Sequence, residues 1–439
     1  MNPAGNDNAF RRIVKTATKI EPQELTATLL SFAFVFILMA AYFILRPVRD
    51  AMASDWTDVE VSWLWSMTFV FSVVAVTVYG AVVSNVRFQS LVPGVYAFFA
   101  LSFFVFYAGA TYVADAVLVD KAFYVWLSVF SLFHVSVFWS FMSDLWNREQ
   151  APRLFGFIAT GASVGAIVGP LITALLVERL GTENLMLVSA TMLLIPIPII
   201  MTLARLKTTA LGNADVSADL SAQQAIGRNP FAGFGIFLKS PYLVGIGLFI
   251  ILYVAIGSFV YFELKNLLAE FSREDRTQIW AYIDLAVNSL AIFTAMFLTS
   301  RLATRFGMAT TLALVPALIV IGMLVIALSP VVAVVAGLQV ARRAGNYAIT
   351  RPGREMLFTA VDRETRFKAK PVIDIVLYRG GDMLTAWAFT LLTAGLGLGL
   401  GAVAAVGALI AAIWAIVGIY LGRSYERIGE NAITTNKQE

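Results

Sequence analysis

Charged side chains interrupt several long apolar runs of this chain, and their types point to the handling of an anion. Arg46, Arg49 and Asp50 close the first run in the stretch Ile44-Leu45-Arg46-Pro47-Val48-Arg49-Asp50. Arg46 and Asp50, four residues apart, share one face of a helix, and Pro47 loosens the backbone between them. Arg342 and Arg343 stand in the tenth run, about nine residues from its start. At about 1.5 Å per residue they lie roughly 14 Å deep. Adjacent helical side chains point about 100° apart, so one arginine can meet an acid while the other faces a central space. Arg379 and Asp382 are three apart and can pair along their own helix, with Asp374 upstream. Glu263 and Lys265 lie near the end of the seventh run, and Asp284 and Asn288 share a face in the eighth. A charge inside a span costs about 2.5–3.5 kcal/mol on insertion scales, so it faces a cavity or a partner. Guanidinium groups grip phosphate or carboxylate in fork geometry. The acids Glu263, Asp284, Asp374 and Asp382 are candidates for ion coupling, Asp284 foremost, or for ion pairing with those arginines. A structural reading stands beside each: Arg46 and Asp50 snorkelling at an interface, Asp284 neutralising a tenth-run arginine, and Arg379 with Asp382 tying helices together.

The elements that must position these groups are transmembrane helices. In 439 residues, 59% are hydrophobic, more apolar surface than one soluble core can bury. Apolar segments fall at about 24–46, 61–84, 91–113, 122–146, 154–177, 184–205, 242–262, 278–300, 308–328, 331–353, 371–394 and 401–422, each near the roughly 20 residues that cross a bilayer. The expected fold is an all-α membrane protein of about twelve spans in two six-helix bundles, 24–205 and 242–422. A cytoplasmic segment 1–23, a polar linker 206–241 and a cytoplasmic tail 423–439 complete the plan. Basic residues gather in alternate loops: the N-terminal segment, Arg87, Arg148 with Arg153, Arg205 to Lys239, Arg301 with Arg305, Arg363 to Lys370, and Arg423 with Arg427. The positive-inside rule then places both termini in the cytoplasm of a bacterial cell, with the protein in its inner membrane. The halves echo each other: Asn147-Arg148-Glu149 recurs as Asp362-Arg363-Glu364, and the same shift brings Gly165 onto Gly380.

Gly161, Gly165 and Gly169, followed by Pro170, form a smooth helix face suited to close packing. The single histidine, His134, has no second ligand at metal spacing, and the chain has no cysteine. Trp63, Trp65 and Trp126 fall near span ends, where aromatic belts sit. No phosphate-cradling glycine loop and no nucleophile-base-acid set is present, so the chain is read as a carrier and not an enzyme, with no cofactor and no metal.

Three stretches carry a family likeness: Arg351-Pro352-Gly353-Arg354-Glu355-Met356-Leu357-Phe358, Phe367-Lys368-Ala369-Lys370-Pro371-Val372-Ile373-Asp374, and Tyr378-Arg379-Gly380-Gly381-Asp382. Together with Leu45-Arg46-Pro47-Val48-Arg49-Asp50 they resemble the ATP/ADP translocase family, the nucleotide transporters of plastids and parasites, a twelve-helix branch of the major facilitator superfamily. The likeness runs from about residue 30 to 420 and is that of a bacterial relative. It implies that the Arg49–Asp50 pair and the Lys370-to-Asp374 step recognise an anionic substrate. Two positions differ from the family pattern: no carboxylate stands in the stretch Leu132 to Trp139, and Tyr261 occupies the place four residues before Lys265.

The reading that joins these features is a secondary transporter of an anionic solute, a nucleotide or another phosphorylated compound being the first to test, working by alternating access. Arg46, Arg49, Arg342, Arg343, Lys370 and Arg379 supply positive charge. Its partners are a small-molecule substrate and membrane lipids, with no nucleic acid. Two alternatives remain: a proton-coupled carrier of another molecule using Asp284 or Glu263, and a lipid-handling or non-transporting protein of the same fold whose charges are all ion-paired.

Overall fold

The computed structural model describes residues 20–83, 88–113, 115–147, 149–213, 232–297, 299–361, 373 and 377–436. Twelve helical segments follow one another: α1 (Leu25–Met52), α2 (Asp58–Val83), α3 (Phe88–Tyr112), α4 (Val117–Leu145), α5 (Ala151–Leu180), α6 (Thr182–Thr209), α7 (Pro241–Leu267), α8 (Arg273–Phe297), α9 (Thr299–Leu328), α10 (Val332–Gly345), α11 (Tyr378–Thr390) and α12 (Leu400–Asn436). A short helix, Ala232–Lys239, precedes α7. Among the described residues nine of these are long and apolar enough to cross a membrane. The other three, α8, α10 and α11, are those in which Asp284, Arg342 with Arg343, and Arg379 with Asp382 break the apolar run. The fold is an all-α membrane protein of the twelve-helix kind expected from the apolar segments.

Several helices are not straight, and each departure has a local cause. α6 breaks at Ile195 before Pro196, because proline lacks the N–H and crowds the preceding turn. α9 bends at Gly307, whose φ of 77° lies in the left-handed region open to glycine. The helix restarts at Met308, whose N–H donates to Glu426 Oε1 at 2.8 Å. α10 widens into a π-turn, Asn346–Thr350, before continuing as Arg351–Leu357, and α11 ends in another, Leu391–Gly395.

By contact the chain groups into two units: one runs to Arg49 and resumes from Ser72 through α6, and the other takes Asp50–Phe71 together with α7 to α12.

In the first unit, α1 is the hub. Phe34 packs edge-on against Tyr96 of α3 and Phe138 of α4, and Ser189 of α6 donates to the Ala41 carbonyl at 2.8 Å. Against α5 the approach is closer still. A Cβ on Gly161 or Gly169 would stand 2.6 Å from the carbonyl oxygens of Phe32 and Ala40, and one on Gly165 would overlap that of Phe36. The glycine face thus brings two backbones into contact, as lipid-embedded helices require when no hydrophobic effect drives them together. Ion pairs fasten one end of this unit: half-buried Arg153 to Glu24 at 2.9 Å and buried Lys207 to Asp144 at 2.9 Å.

In the second unit, α12 lies along α9 with Gly418 and Gly422 against the Leu312 and Ala309 backbone. Phe249 and Tyr253 of α7 pack on Trp414, and Phe259 and Phe262 on Phe389 of α11.

Overpacking a tight contact costs about 1–3 kcal/mol per substitution. Gly165→Ala is therefore expected to lower the thermal midpoint of the detergent-purified protein, and Gly165→Leu to abolish the monodisperse folded peak in size-exclusion chromatography. An unchanged Gly165→Leu profile would show that this helix pair is not closely packed.

Candidate functional site

Charged groups inside the spans cluster differently in each unit. In the first unit, Arg46 and Arg49 are half-buried on α1, on either side of Pro47. The Arg46 guanidinium lies 5.7 Å from the centroid of the Phe43 ring. That of Arg49 lies 5.4 Å from the Tyr124 ring, and Nη1 donates to Ser128 Oγ at 3.2 Å. Tyr124 and Ser128 lie along one side of α4, since an interval of four residues returns to nearly the same face, and His134 stands about a third of a turn away. His134 is buried, its ring stacked on Tyr42 at 4.4 Å, with Nδ1 facing the Phe130 carbonyl of its own helix at 3.3 Å.

In the second unit four helices carry the charges. Arg343 of α10 and Asp284 of α8 form an ion pair at 2.5 Å with both side chains almost fully buried. Arg342, next to it, turns to α7: its guanidinium sits 5.6 Å from the Tyr253 ring centroid and so close to Gly257 that a Cβ there would stand 3.0 Å from Nη1. Nε and Nη2 donate to Gln339 Oε1 at 3.2 and 2.9 Å. Among the described residues no carboxylate lies within ion-pair distance of Arg342, which is 6% exposed. Arg379 and Asp382 of α11 stand 3.7 Å apart along their own helix. Glu263 of α7 is fully buried, and neither carboxyl oxygen has a hydrogen-bond partner among the described residues.

The junction Asp50–Phe71 adds a polar clasp. Lys265 reaches Asp58 at 2.8 Å, the Trp56 carbonyl at 3.0 Å and Asn266 Oδ1 at 2.7 Å. Thr393 donates to Asp58 Oδ2 at 2.8 Å, Arg273 pairs with Asp55 at 2.7 Å, and Arg276 joins it. Tyr261 Oη donates to Asp50 Oδ1 at 3.5 Å.

The tenth-run arginines thus split as adjacent helical residues must, one to an acid and one elsewhere. Asp284 takes the structural role weighed for it, partner to Arg343. Lys370 and Asp374 lie outside the described residues. Trp63 and Trp65 pack on Trp387 and on Tyr261 with Phe262, and Trp126 donates to Ser102 Oγ at 2.8 Å. Sequence reading missed Tyr124, Ser128, Tyr253, Gln339 and the clasp. Of these only Gln339 left a signal, its three-residue spacing from Arg342. Among the described residues no group of three or more histidine, aspartate or glutamate side chains could hold a metal ion.

A sequence profile of the Major Facilitator Superfamily matches residues 28–350, well over half of the chain. The chain belongs to the major facilitator superfamily. Two solved structures of a bacterial homolog to the human lysosomal transporter Spinster, both inward-facing, one unoccupied and one occupied, share this major facilitator fold. They align with TM-scores of 0.58 and 0.57 at 13% and 12% identity, covering 93% and 94% of this chain and 99% and 98% of theirs. A search of curated proteins finds no match.

Removing one partner of a buried ion pair leaves the other charge uncompensated, at a cost of about 3–5 kcal/mol. Asp284→Asn should therefore sharply lower the thermal midpoint of this major facilitator protein, and Asp284→Asn combined with Arg343→Gln should recover most of the loss. A double variant as unstable as the single one would show that the pair is not what holds α8 to α10.

Proposed function

We propose that this major facilitator transporter carries a small anionic solute by alternating access, and that Arg342 is a principal contact for the anion. The supporting observation is the environment of Arg342. A guanidinium has five N–H donors and a full charge at every physiological pH. Gln339 and the Tyr253 ring solvate it but bring no negative charge. A cation in a span without a counter-charge is costly, and an anionic substrate supplies the missing charge while it is bound. A scaffold with all its charges paired would have no use for such a group. Phosphorylated compounds fit best, because a guanidinium fork grips the oxygens of a phosphate through parallel N–H donors. Nucleotides are the first to try, given the likeness of the Arg351 to Phe358 and Tyr378 to Asp382 stretches to the nucleotide carriers.

The test is transport by purified protein in liposomes with radiolabelled ATP, ADP, sugar phosphates and carboxylates. Uptake above empty vesicles is expected for at least one phosphorylated anion, with a loss of tenfold or more in Arg342→Gln. Uptake confined to neutral or cationic solutes would overturn the reading, and transport of other phosphorylated anions without ATP or ADP would remove only its nucleotide version.

A second reading, proton coupling, is favoured by Glu263. A carboxyl with no partner for either oxygen among the described residues is poorly suited to a structural ion pair and well suited to exchanging a proton during the cycle. Glu263→Gln is expected to make uptake indifferent to an imposed pH gradient while leaving solute binding intact. Equal gradient dependence in wild type and variant would exclude it.

A further inference from the structure

The far end of α12 carries a second, unrelated anion-binding feature. One face of α12 is spent on α9 through Gly418, Gly422 and Glu426. Another is left uncovered: Ile416, Tyr420, Arg423 and Arg427, at intervals of four, three and four, fall on one side of the helix. Ile416 is 65% and Tyr420 56% exposed. With Ile419 and Ser424 they line a shallow groove of about 250 Å³. The groove is graded along its length. Its Ile416 end is aliphatic, the Tyr420 ring sits in the middle, and the two guanidiniums close it about 10 Å further on by the helical rise.

That gradient coincides with the edge of the bilayer. From Leu400 to Gly422 the helix has no charged residue, and at about 1.5 Å per residue this spans roughly 33 Å, the thickness of a hydrocarbon core. Arg423 and Arg427 are thus set at headgroup level, and Ile416 and Ile419 at the level of acyl chains. Both arginines are exposed, and among the described residues no carboxylate lies within ion-pair distance of either. Paired arginines one turn apart suit a phosphate bridging them, and a tyrosine at the interface suits the glycerol region.

We infer that this face of α12 is a binding site for an anionic phospholipid, its phosphate between Arg423 and Arg427 and one acyl chain along Ile416 and Ile419. The site is independent of the transport reading, since none of its residues belongs to the charged cluster of α7, α8, α10 and α11. Charge complementarity selects an anionic over a zwitterionic headgroup, and the aliphatic half selects a lipid over a soluble phosphate.

Native mass spectrometry of the full chain, released from detergent with equimolar phosphatidylglycerol and phosphatidylcholine, tests it. Wild type should retain phosphatidylglycerol at least fivefold over phosphatidylcholine, and Arg423→Gln with Arg427→Gln should bring that ratio close to one. Thermal unfolding in phosphatidylcholine nanodiscs confirms that the double variant is folded, and a single Arg423→Gln variant serves if it is not. Equal retention of the two lipids by wild type, or an unchanged ratio in the variant, would overturn the proposal. So would soluble glycerol phosphate displacing the bound lipid at equal concentration, because the acyl chain would then contribute nothing.

Discussion

A charge within a bilayer has to be met by something, and the second unit of this protein meets its charges in three different ways. Arg343 is neutralised outright by Asp284 at 2.5 Å. Arg379 has a looser partner in Asp382 at 3.7 Å on its own helix. Arg342 is met, among the described residues, by a side-chain amide and an aromatic face. The order matters energetically. A full pair recovers most of its desolvation cost when its geometry is good, whereas a neutral amide and a ring contribute less than a carboxylate in the same place. The least compensated cation gains most from a visiting anion, which is why the proposed binding role falls to Arg342 and not to its neighbour.

The packing around these groups divides labour between faces of single helices. α1 gives its carbonyl ridge at Phe32, Phe36 and Ala40 to the glycines of α5. On a separate face it carries Tyr42, Arg46 and Arg49 toward Tyr124, Ser128 and His134 of α4. Close backbone contact on one side fixes where the arginines on the other side stand, since a helix cannot rotate about its axis without driving a Cβ or carbonyl into a glycine. α10 solves the same problem differently. The π-turn Asn346–Thr350 immediately follows the arginine pair, and the extra residue it admits re-phases the remainder of the helix without moving Arg342 and Arg343 off their partners.

What the sequence made legible follows the range of the interactions. Apolar length marked the helices, because crossing a bilayer needs about 20 residues whatever their neighbours. The close-packing role of Gly161, Gly165 and Gly169 was legible from spacing alone, as was the Arg379–Asp382 pair. The divergence of Arg342 and Arg343 follows from helical geometry, but which acid takes which arginine does not. Asp284 was weighed both as a coupling group and as an arginine partner, and only three-dimensional placement decides that it meets Arg343. Tyr253 and Gly257 leave no trace in the residues around Arg342, since they come from another helix. The same holds for the clasp of Lys265 with Asp58 and of Asp55 with Arg273, where a short junction between α1 and α2 is folded onto α7 and α8. Such polar contacts have no period to betray them.

Glu263 and Arg342 complete the electrostatic picture of α7. Arg342 lies against Tyr253 and Gly257; Glu263 is about 9 Å beyond Gly257 along that helix and about a third of a turn around it. In the proposed cycle each has a separate requirement: the arginine for a negative charge, the acid for a proton. On the proposed reading, an anion at one and a proton at the other would leave neither group as an unmet charge, whereas either ligand alone would leave one of the two unmet. Partly loaded forms would then carry the full cost of an unmet charge during the rearrangement between outward and inward access.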